Sequence, residues 1–180
     1  PKTLRWLRTR TMLWVGLACD LRRSELVRIE LAHVTLSEQG AEILIKKSKT
    51  DQEGRGRIKF IPSDVKPWRV AVILLRKWIA RAGITDGFLF RRLYGSSNVV
   101  RPEPPSRKSV ERMLRKAVRL IGKNPDNYGG HSMRAGLVTK LRSMGKDDAT
   151  IMRQTGHSNP RTMRSYDRPQ DPFGSSNPLR

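Results

Sequence analysis

The apolar residues at the start of the chain are spaced as in an amphipathic helix. They are Leu4, Leu7, Met12, Leu13, Val15 and Leu17, and basic residues lie between them. This arrangement is typical of an α-helix. Residues 21–31 repeat the pattern over a shorter stretch. We therefore expect a long helix followed by a short one.

The pattern then changes to one typical of strands. Residues 33–36, 41–47 and 57–61 are short segments rich in apolar and β-branched side chains. Polar and glycine-containing turns at residues 37–40 and 51–56 separate them. Because both connections are short, the three predicted strands form a small antiparallel sheet.

Helical spacing returns after Pro62. Pro67 is placed to lie in a first helical turn, and Gly83 is placed to end the helix. A second long helix is predicted from a cap at Ser109 to Ile121. The remaining predictions are an extended piece at residues 88–90, loops at 98–106 and 122–130, and helices over 131–144, 147–155 and 160–167.

These elements predict an α+β fold that is mostly helical with a small three-stranded antiparallel sheet. A chain of 180 residues suits one domain with a tail. We expect one domain over residues 1–167 and a proline-rich C-terminal tail over residues 168–180.

The charge of the chain narrows the classes of function. Lys and Arg number 37 against 16 Asp and Glu, which gives a net charge of +21 and an isoelectric point near 11.4. Such an imbalance favours nucleic acid as the partner over a merely solubilising surface. No apolar run approaches the roughly 20 residues that span a bilayer. We expect a cytoplasmic protein that is associated with nucleic acid and has no membrane contact.

Metal and disulfide sites are not expected from the composition. The single cysteine, Cys19, excludes an internal disulfide. Three histidines without a cysteine pair beside them argue against a structural zinc site.

Two segments in the first third of the chain carry candidate chemistry. Arg22 and Glu25 are three apart and would share a helix face. Taken alone, they are better explained as a surface salt bridge. Lys49 lies between Ser48 and Thr50 at the predicted hairpin, among other basic residues. Such a hairpin can reach a DNA backbone, but lysines on an exposed edge strand would look the same.

Two further segments lie near the end of the chain. His131 and Arg134 are three apart, so a helix would point both the same way. Gly156-His157 precedes Tyr166, which follows His157 by nine residues. Each segment also has a plain structural explanation, because a helix start can contain His and Arg and a tyrosine can simply be part of the core.

The order Arg, Lys, His-x-x-Arg, Gly-His and Tyr resembles the catalytic signature of the tyrosine recombinases of the phage integrase type. The resemblance covers about residues 10–168. It implies a site-specific recombinase that cleaves and rejoins double-stranded DNA through a 3′-phosphotyrosine, without metal or other cofactor. The implied catalytic residues are Arg22, Lys49, His131, Arg134, His157 and the nucleophile Tyr166.

The resemblance also implies a homotetramer on DNA and leaves a monomer in solution open. Asp20 departs from the pattern, since a small residue, often glycine, commonly precedes the Leu-Arg pair. We further expect that the usual N-terminal core-binding domain is absent from this chain. Three alternatives stay open: a type IB topoisomerase, a non-catalytic DNA-binding module of the same fold, and a basic RNA- or ribosome-associated protein.

Overall fold

The computed structural model describes residues 3–46, 56–95, 99–129 and 132–155. The helices are α1 (Leu4–Ala18), α2 (Arg23–Leu26), α3 (Arg69–Ala82), α4 (Arg107–Leu120), α5 (Ser132–Ser143) and α6 (Asp148–Thr155). The strands are β1 (Val34–Ser37), β2 (Gly40–Ile45), β3 (Arg57–Pro62), β4 (Arg92–Tyr94) and β5 (Val99–Arg101). This composition confirms the predicted fold class. The predicted helix at 160–167 and the tail lie outside the described residues.

The first helix forms where the apolar spacing predicted it. The side chain of Thr3 caps α1 by accepting a hydrogen bond from the backbone N–H of Trp6 at 3.2 Å. Leu7, Met12 and Val15 lie on its buried face. The helix ends at the segment that carries Asp20, so its packing decides where that residue lies.

The three-stranded sheet has the order β1-β2-β3, and both pairs are antiparallel. Ala41 at the start of β2 pairs with Leu36 on one side and Ile61 on the other. The buried side chains of β3 are those of Lys59 and Ile61, which alternate with exposed ones. The predicted strands are confirmed to within two residues at each end.

The core lies between α1, the sheet and α3. Helix α3 begins at Arg69, so Pro67 lies just before the helix and not in its first turn as predicted. The helix ends at Gly83, as predicted, and the φ of 59° there is the left-handed conformation that glycine adopts readily. Trp78 is fully buried, donates a hydrogen bond to the Leu89 carbonyl at 2.8 Å and stacks on Phe90. These contacts hold α3 against the centre of the domain.

Helices α1 and α5 approach closely at two glycines. A Cβ added at Gly16 would lie 2.6 Å from the Met133 sulfur, and one added at Gly136 would lie 3.2 Å from a Leu17 methyl. The small residues therefore allow a helix from late in the chain to lie directly on the first helix. This packing brings Arg134 of α5 to the end of α1.

The predicted helix over residues 21–31 is shorter in the structure. Only Arg23–Leu26 is α-helical, because the chain then pairs with a distant segment before a short 3-10 helix at Leu31–His33. Glu30 forms a β-bridge with Phe88, and the Leu89 N–H donates to the Ile29 carbonyl at 2.8 Å. The extended piece predicted at residues 88–90 is the partner in this pairing.

Two predictions around residue 100 were wrong. The predicted loop at residues 98–106 contains β5, which pairs antiparallel with β4 in a separate two-stranded sheet. Helix α4 is capped by Ser106, whose hydroxyl accepts from the Ser109 N–H at 3.2 Å, so Ser109 lies inside the first turn.

No helix in the described part of the chain is both long and apolar enough to cross a membrane.

Candidate active site

Arg22 is held by a buried carboxylate. It directly precedes α2 in an extended conformation, and Glu25 lies on that helix. Glu25 accepts from the Arg22 backbone N–H at 2.7 Å and from its Nη1 at 3.0 Å. The Glu25 side chain is 2% exposed. This burial excludes the surface salt bridge that the sequence allowed.

Arg57 on β3 is a second arginine bound to the same carboxylate. Its Nη2 lies 3.3 and 3.2 Å from the two oxygens of Glu25. From the sequence, Arg57 was only one of several basic residues near the hairpin. A signal existed, because strand alternation puts Arg57 on the same side of β3 as the buried Lys59 and Ile61.

Arg134, in the first turn of α5, contacts Asp20 at the end of α1. Its Nε donates to Asp20 Oδ1 at 3.1 Å, and its Nη2 lies 2.7 Å from Oδ2. Nη2 also donates to the Thr155 carbonyl at 3.1 Å. Within the described residues, Nη1 of Arg134 makes no hydrogen bond or ion pair. The guanidinium is therefore anchored on one side, and its other nitrogen can bind a ligand.

Asp20 adopts a backbone conformation that favours glycine. Its φ is 55°, which aspartate tolerates better than most residues. Asp20 therefore adopts the conformation that suits the small residue common at this position, and it also places a carboxylate in the turn. Burial raises the pKa of Asp20 to about 6, although Arg134, Lys59 and Arg57 nearby favour the charged form.

Lys59 is a buried cation between β3 and α6. Its ammonium donates to the Gln154 carbonyl. Burial, followed by repulsion from Arg57, lowers the pKa of Lys59, while Asp20 opposes that shift. Lys59 occupies an inward position of the strand where an apolar residue would be expected, which is a sequence signal of a buried charge.

Three contacts fix the carboxyl end of α6. Lys59 binds the Gln154 carbonyl, Arg134 binds the Thr155 carbonyl, and the Gln154 side chain donates to the Ala18 carbonyl at 3.2 Å. Cations are favourable at this end of a helix because the free carbonyls carry partial negative charge. Thr155 directly precedes Gly156-His157 in the sequence.

Six side chains therefore form one charged cluster. Its members are Asp20, Arg22, Glu25, Arg57, Lys59 and Arg134. Four cations face two carboxylates, so the cluster carries an excess of two positive charges. The carboxylates are buried, whereas the arginines are partly exposed. An arrangement of this kind suits the binding of an anion such as a phosphate.

Two of the six predicted catalytic residues, Arg22 and Arg134, belong to the charged cluster. The other four lie outside the described residues, namely Lys49, His131, His157 and Tyr166. Among the residues that the structure describes, no group of three or more His, Cys, Asp or Glu side chains could hold a metal ion.

The outer face of α4 is a second basic surface. Val110 and Val118 are buried, while Arg112, Lys116 and Arg119 are exposed. An ion pair between Arg23 and Glu111 joins α4 to α2. The basic face of α4 is thus connected to the segment next to Arg22.

Sequence comparison matches residues 3–172 to the phage integrase family model. The chain is 36% identical over 160 residues to an integrase/recombinase xerD homolog of Selenomonas ruminantium. That alignment covers 89% of this chain and 47% of the relative. The chain thus spans about half the length of the curated relative that it matches.

Solved structures share the fold at low identity. The XerH site-specific recombinase bound to difH substrate superposes with a TM-score of 0.68 at 18% identity, over 92% of this chain and 44% of that one. The XerA recombinase gives a TM-score of 0.65 at 20% identity, over 92% of this chain and 53% of that one. The family match covers the whole segment that carries the motifs, and the chain belongs to the phage integrase family.

Proposed function

We propose that this chain is the catalytic part of a site-specific recombinase that cleaves and rejoins double-stranded DNA through a 3′-phosphotyrosine at Tyr166. The observation that carries the proposal is the charged cluster. It joins Arg22 and Arg134, which come from the first and last thirds of the described chain, through contacts with two buried carboxylates. Membership of the phage integrase family and the net charge of +21 support the same reaction and partner.

In this proposal the two arginines bind the scissile phosphate. Attack on a phosphodiester increases the negative charge on its non-bridging oxygens, and fixed donors stabilise that charge without having to reorganise. Glu25 anchors Arg22 through Nη1, and Asp20 anchors Arg134 through Nε and Nη2. The opposite sides of both guanidiniums are then the donors to the phosphate, and His157 is proposed to add another hydrogen bond.

Tyr166 is the proposed nucleophile. Its Oη attacks phosphorus, the bond from phosphorus to the 5′ oxygen breaks, and the phenol proton passes to His131. Lys49 is proposed to protonate the departing 5′ oxygen. Cations nearby favour the phenolate, whose pKa is otherwise about 10. Rejoining reverses these steps, with a 5′ hydroxyl attacking the phosphotyrosine. Because the phosphotyrosine retains the bond energy, no nucleotide cofactor is required.

Assembly as a homotetramer on DNA is part of the proposal. The XerH and Tn1549 integrase structures with a similar fold are complexes with DNA. An exchange of strands requires that more than one cleaved site be held together. The present chain is therefore expected to associate with copies of itself when a target duplex is bound.

Trapping of the covalent intermediate tests the reaction. Nicked duplexes of many sequences are incubated with the chain at low salt, so that the fragment released by cleavage is lost and religation is prevented. A protein–DNA adduct on a denaturing gel is the expected result. Tight DNA binding with no adduct on any sequence would instead support a non-catalytic module. Plasmid relaxation without strand exchange would support a topoisomerase.

Removing charge from α4 is expected to weaken DNA binding in a salt-dependent way. Log affinity falls as log salt rises, and each lost phosphate contact makes this slope less steep by about 0.9. Replacing Arg112, Lys116 and Arg119 by glutamine is therefore expected to make the slope less steep by about 3 in a fluorescence-anisotropy titration.

The control removes the same charge from another surface. Lys66, Arg69 and Lys77 are exposed residues in or just before α3. Their replacement by glutamine changes the net charge equally and is expected to alter the slope far less. A slope in the α4 variant equal to that of wild type would show that α4 does not contact the DNA backbone.

A further inference from the structure

A buried carboxylate lies two residues before Arg22 in the turn that follows α1. Asp20 is 1% exposed, and its φ of 55° would suit glycine or asparagine equally well. Formation of the turn therefore does not require a charged side chain. Burial of a carboxylate is unfavourable unless the charge is paired. The acidic group is best explained by its contact with Arg134.

The contact determines the orientation of the Arg134 guanidinium. Nε donates to one oxygen of Asp20 at 3.1 Å, and Nη2 lies 2.7 Å from the other. Nη2 also donates to the Thr155 carbonyl at 3.1 Å. A planar guanidinium that is bound through Nε and Nη2 cannot rotate without losing these contacts, so the direction of Nη1 is fixed.

We propose that Asp20 is a positioning residue, which orients Arg134 so that Nη1 meets the scissile phosphate while Nη2 remains bound to the end of α6. The inference rests on the proposed function, because it takes that phosphate as the ligand of Arg134. It also links two parts of the site. Thr155 directly precedes the segment that carries His157 and Tyr166. Asp20 therefore couples the guanidinium that binds the phosphate to the start of that segment.

The charges around Asp20 determine when it can act. Arg134 of α5 and Lys59 and Arg57 of β3 face its carboxylate, and Cys19 lies beside it. Its pKa of about 6 lies above the ordinary value of 3.8, so the folded chain binds this proton more tightly than the unfolded chain. Asp20 is therefore ionised above about pH 6 and loses its hold on Arg134 as the pH falls through that value.

The orientation is measured directly on the guanidinium. The Nε–H resonance of Arg134 is followed by NMR in the whole chain with labelled arginine from about pH 5 to about pH 8, and Arg134→Lys assigns the signal. The resonance is expected to shift with a midpoint near pH 6. Asp20→Asn preserves the shape and tolerates the turn, and it is expected to abolish that shift.

The consequence for the reaction is measured as the single-turnover rate of adduct formation at saturating duplex. Asp20→Asn and Asp20→Gly both suit the backbone and are expected to slow cleavage by about tenfold or more near neutral pH. The loss of rate that wild type shows below about pH 6 is expected to be reduced in both. The matched control is Asp86→Asn, which removes an exposed partner of Arg91 and should leave rate and pH profile unchanged.

Two results would overturn the inference. One is wild-type cleavage with an unchanged pH profile in both Asp20 variants. The other is an Arg134 resonance that titrates in the same way in Asp20→Asn. If wild type forms no adduct on any duplex, the proposed function fails, and the resonance alone then decides whether Asp20 orients Arg134.

Discussion

Tyr166→Phe is expected to abolish the covalent protein–DNA adduct while leaving folding and DNA binding intact. Phenylalanine lacks only the hydroxyl whose oxygen would bond to phosphorus, so no covalent intermediate can form at this position. Loss of a nucleophile is among the largest single-residue effects in enzymes, and we expect a decrease of at least about a thousandfold. The amount of adduct on a denaturing gel, compared at equal DNA occupancy, provides the measurement.

The chain contains two natural controls for this substitution. Tyr94 and Tyr128 lack a Gly-His pair nine residues earlier. Tyr94→Phe and Tyr128→Phe are expected to form adduct at the wild-type level. If Tyr166→Phe kept the adduct and either control lost it, the tyrosine replaced in that control would be identified as the nucleophile.

Arg134→Ala is expected to slow cleavage by about a hundredfold to a thousandfold, since loss of one well-placed donor to a developing charge has an effect of this size. Arg134 also holds the Thr155 carbonyl and compensates the buried Asp20, so its removal disturbs two further contacts. Arg134→Lys keeps the charge but has no planar fork, and its rate is expected to lie between those of wild type and Arg134→Ala.

A second arginine on the same helix provides the control for this result. Arg142 of α5 pairs with Asp148 at 3.0 Å and is partly buried, as Arg134 is. Arg142→Ala is expected to cleave within about twofold of wild type, because it removes an ion pair with a partly exposed carboxylate outside the charged cluster. Equal rates for Arg134→Ala and Arg142→Ala would rule out the proposed binding of the phosphate by Arg134. Thermal unfolding of each variant separates loss of folding from loss of chemistry.

Local pattern was sufficient to predict the main elements. The period of the apolar residues located α1, α3 and the three-stranded sheet, because one face of each is buried. The apolar period gave no signal where an extended segment pairs with residues far along the chain. The extended stretch at Ile29 and Glu30 pairs with residues 88 and 89, and no local period reports such a pairing.

The hairpin of β4 and β5 and the start of α4 were missed for local reasons. Each strand has three residues, and those of β5 lie in a stretch rich in proline that is typical of loops. Ser106 and Ser109 are both good cap residues three positions apart. Sequence alone does not decide between two such candidates, whereas the packing of Val110 against the core does.

The site was predictable only in part. The resemblance to the tyrosine recombinases pointed to Arg22 and Arg134, and both belong to the charged cluster. Asp20 was recognised only as a departure from the usual small residue. Its role depends on Arg134, and Arg57 likewise depends on Glu25, contacts that exist only after folding. The expectations for Lys49, His131, His157 and Tyr166 remain predictions.

The contact between Asp20 and Arg134 also has a consequence for synthesis of the protein. The two residues are 114 positions apart in the sequence. At ribosomal rates, roughly 6 to 23 seconds separate the addition of the first from that of the second. During this interval α1 has no α5 to pack against, and the carboxylate stays hydrated. A nascent chain therefore lacks the contact between Asp20 and Arg134 until nearly all of the described chain has been translated.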